Sequence, residues 1–156
     1  AGRKDFTIIQ IEKAMMNTEI GFGKRVLGVL ADFNVSFEHI PSGIDTLSVV
    51  IEDTALEGKL EDIVAALHTA VKPDSIELDN NLALIATVGR GMAKQTGTSA
   101  KLFGALGTAN VNIRMIDQGS SEMNIIVGTD VQDFEKAVQA IYSAFVSEDG
   151  QTRALS

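Results

Sequence analysis

No cysteine occurs in this chain, which removes disulfides, thiolate metal sites and a thiol nucleophile at once. Tryptophan is also missing, tyrosine occurs once and proline twice, so the chain is poor in base-stacking aromatics and in helix breakers. Lysine and arginine total 13 against 21 aspartates and glutamates, a net charge of −8. The 13 cations are scattered, so the basic patch that a phosphate backbone demands is not formed, and nucleic acid is excluded as a partner. No apolar run reaches the roughly 18 residues of a membrane span, and the N-terminus lacks the basic-then-apolar pattern of a secretory leader. These features together point to the cytoplasm. The chain starts at Ala1 without a methionine, as expected for a piece of a longer protein.

What is present is a globular composition, 45% hydrophobic and 22% charged over 156 residues, enough for one domain or two small ones. An internal repeat favours two. Gly21 and Gly97 lie 76 positions apart, and the same offset pairs Ile9 with Ile85, Gly28 with Gly104, Leu30 with Leu106, Asn34 with Asn110, Ile40 with Ile116 and Val50 with Ile126.

Each copy carries the same order of signals. Phe6 to Glu12 and Leu82 to Val88 are β-branched and apolar, and are predicted as strands. A glycine-containing loop follows, then helices over Gly23 to Phe33 and Ser99 to Ala109, each closed by an asparagine suited to the left-handed region. Val35 to Ile40 with Leu47 to Glu52, and Val111 to Ile116 with Met123 to Thr129, are predicted as hairpins. Second helices are expected from about Gly58 to Val71 and Val131 to Val146, the latter with Phe134, Val138, Ile141 and Phe145 on one face. Ser75 to Asp79 adds a last strand to the first copy. For the second copy the last strand is expected from residues upstream of Ala1 or from the polar tail 148–156. The fold class is therefore α+β, two ferredoxin-like βαββαβ units with antiparallel sheets and helices on one face, over 6–80 and 81–147.

In this arrangement the sequence resembles the ACT family of amino-acid-sensing modules and, more narrowly, the C-terminal regulatory region of aspartate kinases. The residues carrying the resemblance are Met16-Asn17-Thr18-Glu19-Ile20-Gly21-Phe22-Gly23, Asn34 to Asp45, Leu84 to Met92, and Asn112 to Ile116 followed by Ser120-Ser121. The resemblance implies a regulatory fragment with no catalytic residues and no cofactor of its own. It implies a kinase domain elsewhere in the parent chain, using ATP and magnesium to phosphorylate aspartate under feedback from lysine, threonine or both. It also implies a homodimer formed through the ACT units. Effector-binding positions carried over are Met16, Glu19, Gly21, Phe22, Gly23, Glu38, Ser42, Gly43, Ile44 and Asp45.

The residue chemistry agrees with such a site. A free amino acid presents a carboxylate and an ammonium. Helix-start N–H groups receive the first, and Gly21 and Gly23 let the backbone come close. Glu38 and Asp45 are acceptors for the second, Ser42 adds a hydroxyl, and Met16 and Phe22 can cover an aliphatic stem. In the second copy Asp117, Gln118, Ser120 and Ser121 stand at matching places, while Gly91 to Thr98 matches the binding loop less well, so this copy is expected to hold the dimer or the first unit in place. No nucleotide-binding glycine motif and no nucleophile–base pair is present, and no metal site is expected. A free-standing tandem ACT sensor with no attached enzyme is the alternative; an RNA-binding ferredoxin-like domain is disfavoured by the acidity and the few aromatics.

Overall fold

The computed structural model describes residues 2–88, 96–119 and 124–146. Its elements run β1 (Gly2–Glu12), α1 (Phe22–Asp32), β2 (Thr46–Glu52), α2 (Asp53–Leu56), α3 (Leu60–Val71), β3 (Ser75–Val88), α4 (Thr98–Thr108), β4 (Ile113–Asp117), β5 (Asn124–Asp130) and α5 (Phe134–Val146). Two compact units result. One is Asp5–Asn80; the other comprises the described residues within Ala1–Lys4 and Asn81–Ser156. Asp5 and Asn81, where the divisions fall, both take left-handed backbone angles, φ 72° and 60°, a conformation that aspartate and asparagine tolerate better than most residues.

In the first unit the strand order is β2-β1-β3, and β1 and β2 run antiparallel with Ile9 opposite Val49 and Ile11 opposite Leu47. Side chains alternate along a strand, so Ile9, Ile11, Leu47, Val49 and Ile51 share a face. Phe22, Val26 and Leu30 of α1 and Ile63, Leu67 and Val71 of α3 join them in a single buried cluster, which places both helices on that face. The helix closure is the one the asparagine suggested. Asn34 takes φ 57° and the Val35 N–H reaches back to the Leu30 carbonyl at 2.9 Å. The second unit repeats it at Asn110, also φ 57°, with Val111 N–H to Leu106 O at 3.0 Å.

Three details differ from the sequence expectation. Val35 to Ile40 does not form a regular strand. Glu38 donates to Val50 O while Val50 donates to His39 O, so two residues oppose one, as in a β-bulge, and the pairing resumes only as isolated bridges at His39 and Ser42. Pro41, which has no N–H to give, sits in the middle of this edge. Next, the helix expected from about Gly58 to Val71 is α3, and a short helix that was not expected, α2, precedes it, the two being separated where Gly58 takes φ 70°. Finally, Ser75 to Asp79 and Leu82 to Val88 are parts of one continuous strand, β3.

In the second unit β4 and β3 flank β5, both antiparallel to it, and Arg114 is ion-paired to Asp130 across the β4–β5 pair. Ile85, Ile125 and Val127 pack on Leu102 and Leu106 of α4 and Ala137 and Ile141 of α5. The strand on the other side of β3 is the start of β1. Gly2–Lys4 belong to this unit. Lys4 pairs with Glu135 at 3.1 Å and sits 5.0 Å above the Phe134 ring. A Cβ at Gly2 would collide with that same ring. This differs from the expectation of a strand from upstream of Ala1 or from the tail: Gly2-Arg3-Lys4-Asp5 carries no apolar alternation to mark it in the sequence, and the tail lies outside the described residues. No described helix is long and apolar enough to cross a membrane.

Candidate functional site

The loop from β1 to α1 is tied to the turn before β2 by three hydrogen bonds within the first unit. Lys13 N–H donates to Asp45 O at 2.9 Å, Asn17 N–H donates to Ile44 O at 3.1 Å, and Met15 N–H donates to the Asp45 carboxylate at 2.9 Å. Met15 takes φ 58°, and its carbonyl accepts from both the N–H and the hydroxyl of Thr18 in a tight 3-10 turn over Met16–Thr18. The turn itself closes through Gly43 N–H to Thr46 O at 2.8 Å. The loop then enters α1 through Gly21 at φ 82°, a conformation that costs glycine little. No side chain caps this helix start and no acidic residue occupies its first turn. The helix therefore presents N–H groups and the positive end of its dipole toward the loop.

Glu19 anchors the same loop electrostatically. Its two carboxylate oxygens meet Lys13 Nζ at 2.8 Å and Arg25 Nη2 at 2.6 Å, and Lys13 also donates to Val71 O at 2.7 Å. The hydrogen bond from Lys13 holds the Glu19 carboxyl below its usual range, opposed by partial desolvation and reinforced by the charges of Lys13 and Arg25. A depressed folded pKa stabilises the fold above the unfolded value near 4.5, and that contribution is lost as pH falls through the folded pKa. Glu19→Gln is therefore expected to lower the urea midpoint at neutral pH, and the gap to the parent should close well below pH 4.5. A gap that stays constant across that range would show the ion cluster to be without effect on folding.

The sequence-expected positions divide into three groups. Gly21, Gly43, Ile44 and Asp45 are brought together with Glu19 around the clamp, with Ser42 and Gly23 beside it in the chain. Met16 and Phe22 are both buried in the core cluster beneath the loop, where they support it from inside. Glu38 stands opposite Val50 with an exposed side chain, five strand positions from Asp45 and so roughly 16 Å along the strand. Asp117 and Gln118 are described in the second unit, whereas Ser120, Ser121, Gly89 to Met92 and most of Gly91 to Thr98 lie outside the described residues.

Lys13 and Arg25 went unrecognised in the sequence. Each is six positions from Glu19, a spacing with no helical or strand signature, and only the folded loop brings them together. Around the clamp the side chains of Met15, Ile20 and Ile44 are 66%, 96% and 69% exposed, an apolar rim on a polar loop. Among the described residues no group of three or more histidines and carboxylates is arranged to hold a metal.

Comparison with known proteins shows what the chain is similar to. A family model described as ACT domain matches residues 85–145. The chain is 38% identical over 141 residues to aspartokinase 3 of Bacillus subtilis, covering 90% of this chain and 31% of that protein. Its fold superposes on the aspartate kinase of Clostridium acetobutylicum with TM-score 0.90 and 56% identity, over 93% of this chain and 34% of that one. Escherichia coli aspartokinase III, solved in complex with lysine and aspartate, matches with TM-score 0.76 and 28% identity over 92% of this chain and 32% of that one. The chain thus spans about a third of the length of these relatives.

Proposed function

Because this chain is homologous to the regulatory regions of aspartate kinases and carries the ACT fold, we propose that it is the part of such an enzyme that binds a small amino acid and conveys feedback to a kinase domain. That domain, in the longer protein, would transfer phosphate from ATP, with magnesium, to the side-chain carboxylate of aspartate. Lysine, threonine or both are the effectors proposed.

The observation that carries the reading is the clamp between the Lys13 to Gly21 loop and the Ile44-Asp45 turn. An effector carboxylate is received by the uncapped start of α1, with Arg25 and Lys13 nearby supplying positive potential. An ammonium is received by the turn, where Asp45 and backbone carbonyls are the acceptors. That a related aspartokinase was solved with lysine supports the choice of ligand class. The exposed Met15, Ile20 and Ile44 border the same loop, and an apolar rim of this kind is suited to a second copy of the chain, so the proposed assembly is a homodimer of first units.

Calorimetric titration of the chain with lysine and threonine, alone and together, tests the proposal. At a hundred times the dissociation constant a native-state ligand should add about 2.7 kcal/mol to stability. Asp45→Ala removes the acceptor for Met15 N–H and is expected to weaken binding by about tenfold. Glu61→Ala, on an exposed stretch of α3, should leave binding unchanged. Absence of binding by either amino acid and by their mixture rejects the sensing role for this chain.

A further inference from the structure

The clamp stands at one end of the first unit, where Glu12 pairs with Thr46; at the other end, where Phe6 pairs with Glu52, the core is left open. Thr7 lies two residues before Ile9 on the face that the helices cover, and it is buried. Leu78 lies two residues beyond Ile76, which packs on the same core cluster, so it belongs to that face as well. Leu78 is nonetheless 47% exposed. The physical reason is a break in the helical layer above it: α2 has only four residues, Gly58 turns the chain at φ 70°, and α3 begins at Leu60. The result is an open cavity of about 330 Å³, within the range of small-molecule sites. Leu56, Leu60 and Leu78 form its apolar wall, and Thr7, Asp53 and Glu57 are among its polar groups.

The charge around this cavity is of one sign. Asp53 accepts from the Thr7 hydroxyl at 2.6 Å, and Glu57 is exposed. Among the described residues neither carboxylate is ion-paired. Between Glu52 and Asp62 the only cation is Lys59, and its ammonium donates to the Phe33 carbonyl at 3.2 Å instead. An apolar wall beside two such carboxylates matches a ligand with a hydrocarbon stem and a cationic head: the stem removes Leu78 from water while the head meets the carboxylates. We propose that this cavity binds a small organic cation, a primary ammonium or guanidinium on a short unbranched alkyl stem. The Thr7 hydroxyl engages one oxygen of Asp53, and the other oxygen and Glu57 accept from the head group. No described cation lines the cavity, so it offers an α-carboxylate no partner. Its ligand class therefore differs from that of the clamp, and the site does not depend on it.

Amide NMR titration of the whole chain with pentylamine and with butylguanidine, both cationic at neutral pH, is the test. Saturable shifts are expected at Thr7, Leu56 and Leu78. Pentanol has the stem without the charge and ammonium chloride the charge without the stem, and each should bind at least about tenfold more weakly than pentylamine. Asp53→Asn keeps an oxygen for the Thr7 hydroxyl and should weaken pentylamine binding about tenfold. Glu57→Gln, at an exposed position, should weaken it about two- to fivefold. Asp45→Ala should leave these shifts intact, so failure of the clamp and failure of this site are told apart. The proposal is overturned if neither cation gives saturable shifts. It is overturned equally if pentanol or ammonium binds as well as pentylamine, or if Asp53→Asn binds like the parent.

Discussion

Phe22→Ala is expected to cost about 3–5 kcal/mol of stability, the range for emptying a buried aromatic position. Phe22 is 4% exposed, opens α1 and shares one cluster with Ile11 and Met16 directly beneath the clamp. Its removal therefore empties the core where the binding loop rests, and the small helix-propensity gain of alanine does not offset a void of that size. Urea unfolding followed by circular dichroism should show a lower midpoint with an unchanged slope. Leu67→Ala, equally buried in α3 but away from the loop, should cost about 2–5 kcal/mol. The two separate on ligand response: at temperatures where both are folded, Phe22→Ala should bind effector more weakly than Leu67→Ala. A cost under about 1 kcal/mol for Phe22→Ala would mean the ring is not the loop's support.

Gly128→Val should destabilise the second unit by about 1–3 kcal/mol or more through overpacking. Gly128 lies in β5 between Leu84 of β3 and Met115 of β4. A Cβ built there would stand 2.9 Å from Met115 Cβ and 3.1 Å from Leu82 Cδ1. Paired residues on neighbouring strands ordinarily hold their Cβ atoms about 4.5–5.5 Å apart. The crowding comes from the register shift between Ile113 and Met115, which draws Met115 over Gly128. Because one contact is with a Cβ, no rotamer change relieves it and the backbone must move. Gly128→Ala should show the same sign with a smaller size. Thermal melts of both variants against the parent check the order, and a neutral Gly128→Val would show that β4 can slide away at no cost.

Much of this architecture is legible in the residues. The 76-residue offset surfaces as matched backbone geometry, with Gly21 and Gly97 at φ 82° and 86° and Asn34 and Asn110 both at φ 57°. The apolar spacing of Val26 and Leu30 marks the buried face of α1, although Leu27, which the same pattern includes, is exposed, and Ile9 and Ile11 mark the covered face of β1. These signals are strong because burial on one face selects side chains at the period of the element. The site was legible as a place rather than as a mechanism. The loop and the turn were both identified, but Glu19 and Asp45 already have partners inside the protein, and Lys13 and Arg25 carried no spacing signal.

The sequence by itself determined that the chain is built twice over from strands and helices of one order, with loops and asparagine-closed helices at fixed places. Pattern and left-handed positions are local properties, and each residue reports its own face or backbone angle. Only the tertiary structure decided that Gly2–Lys4 completes the second unit, that Glu38 stands away from the clamp, and that Thr87 is buried without a partner among the described residues. Strand pairing at an edge is made by backbone groups common to all residues, and ion pairs and orphaned hydroxyls depend on which distant groups arrive beside them. Neither leaves a period in the sequence to be read.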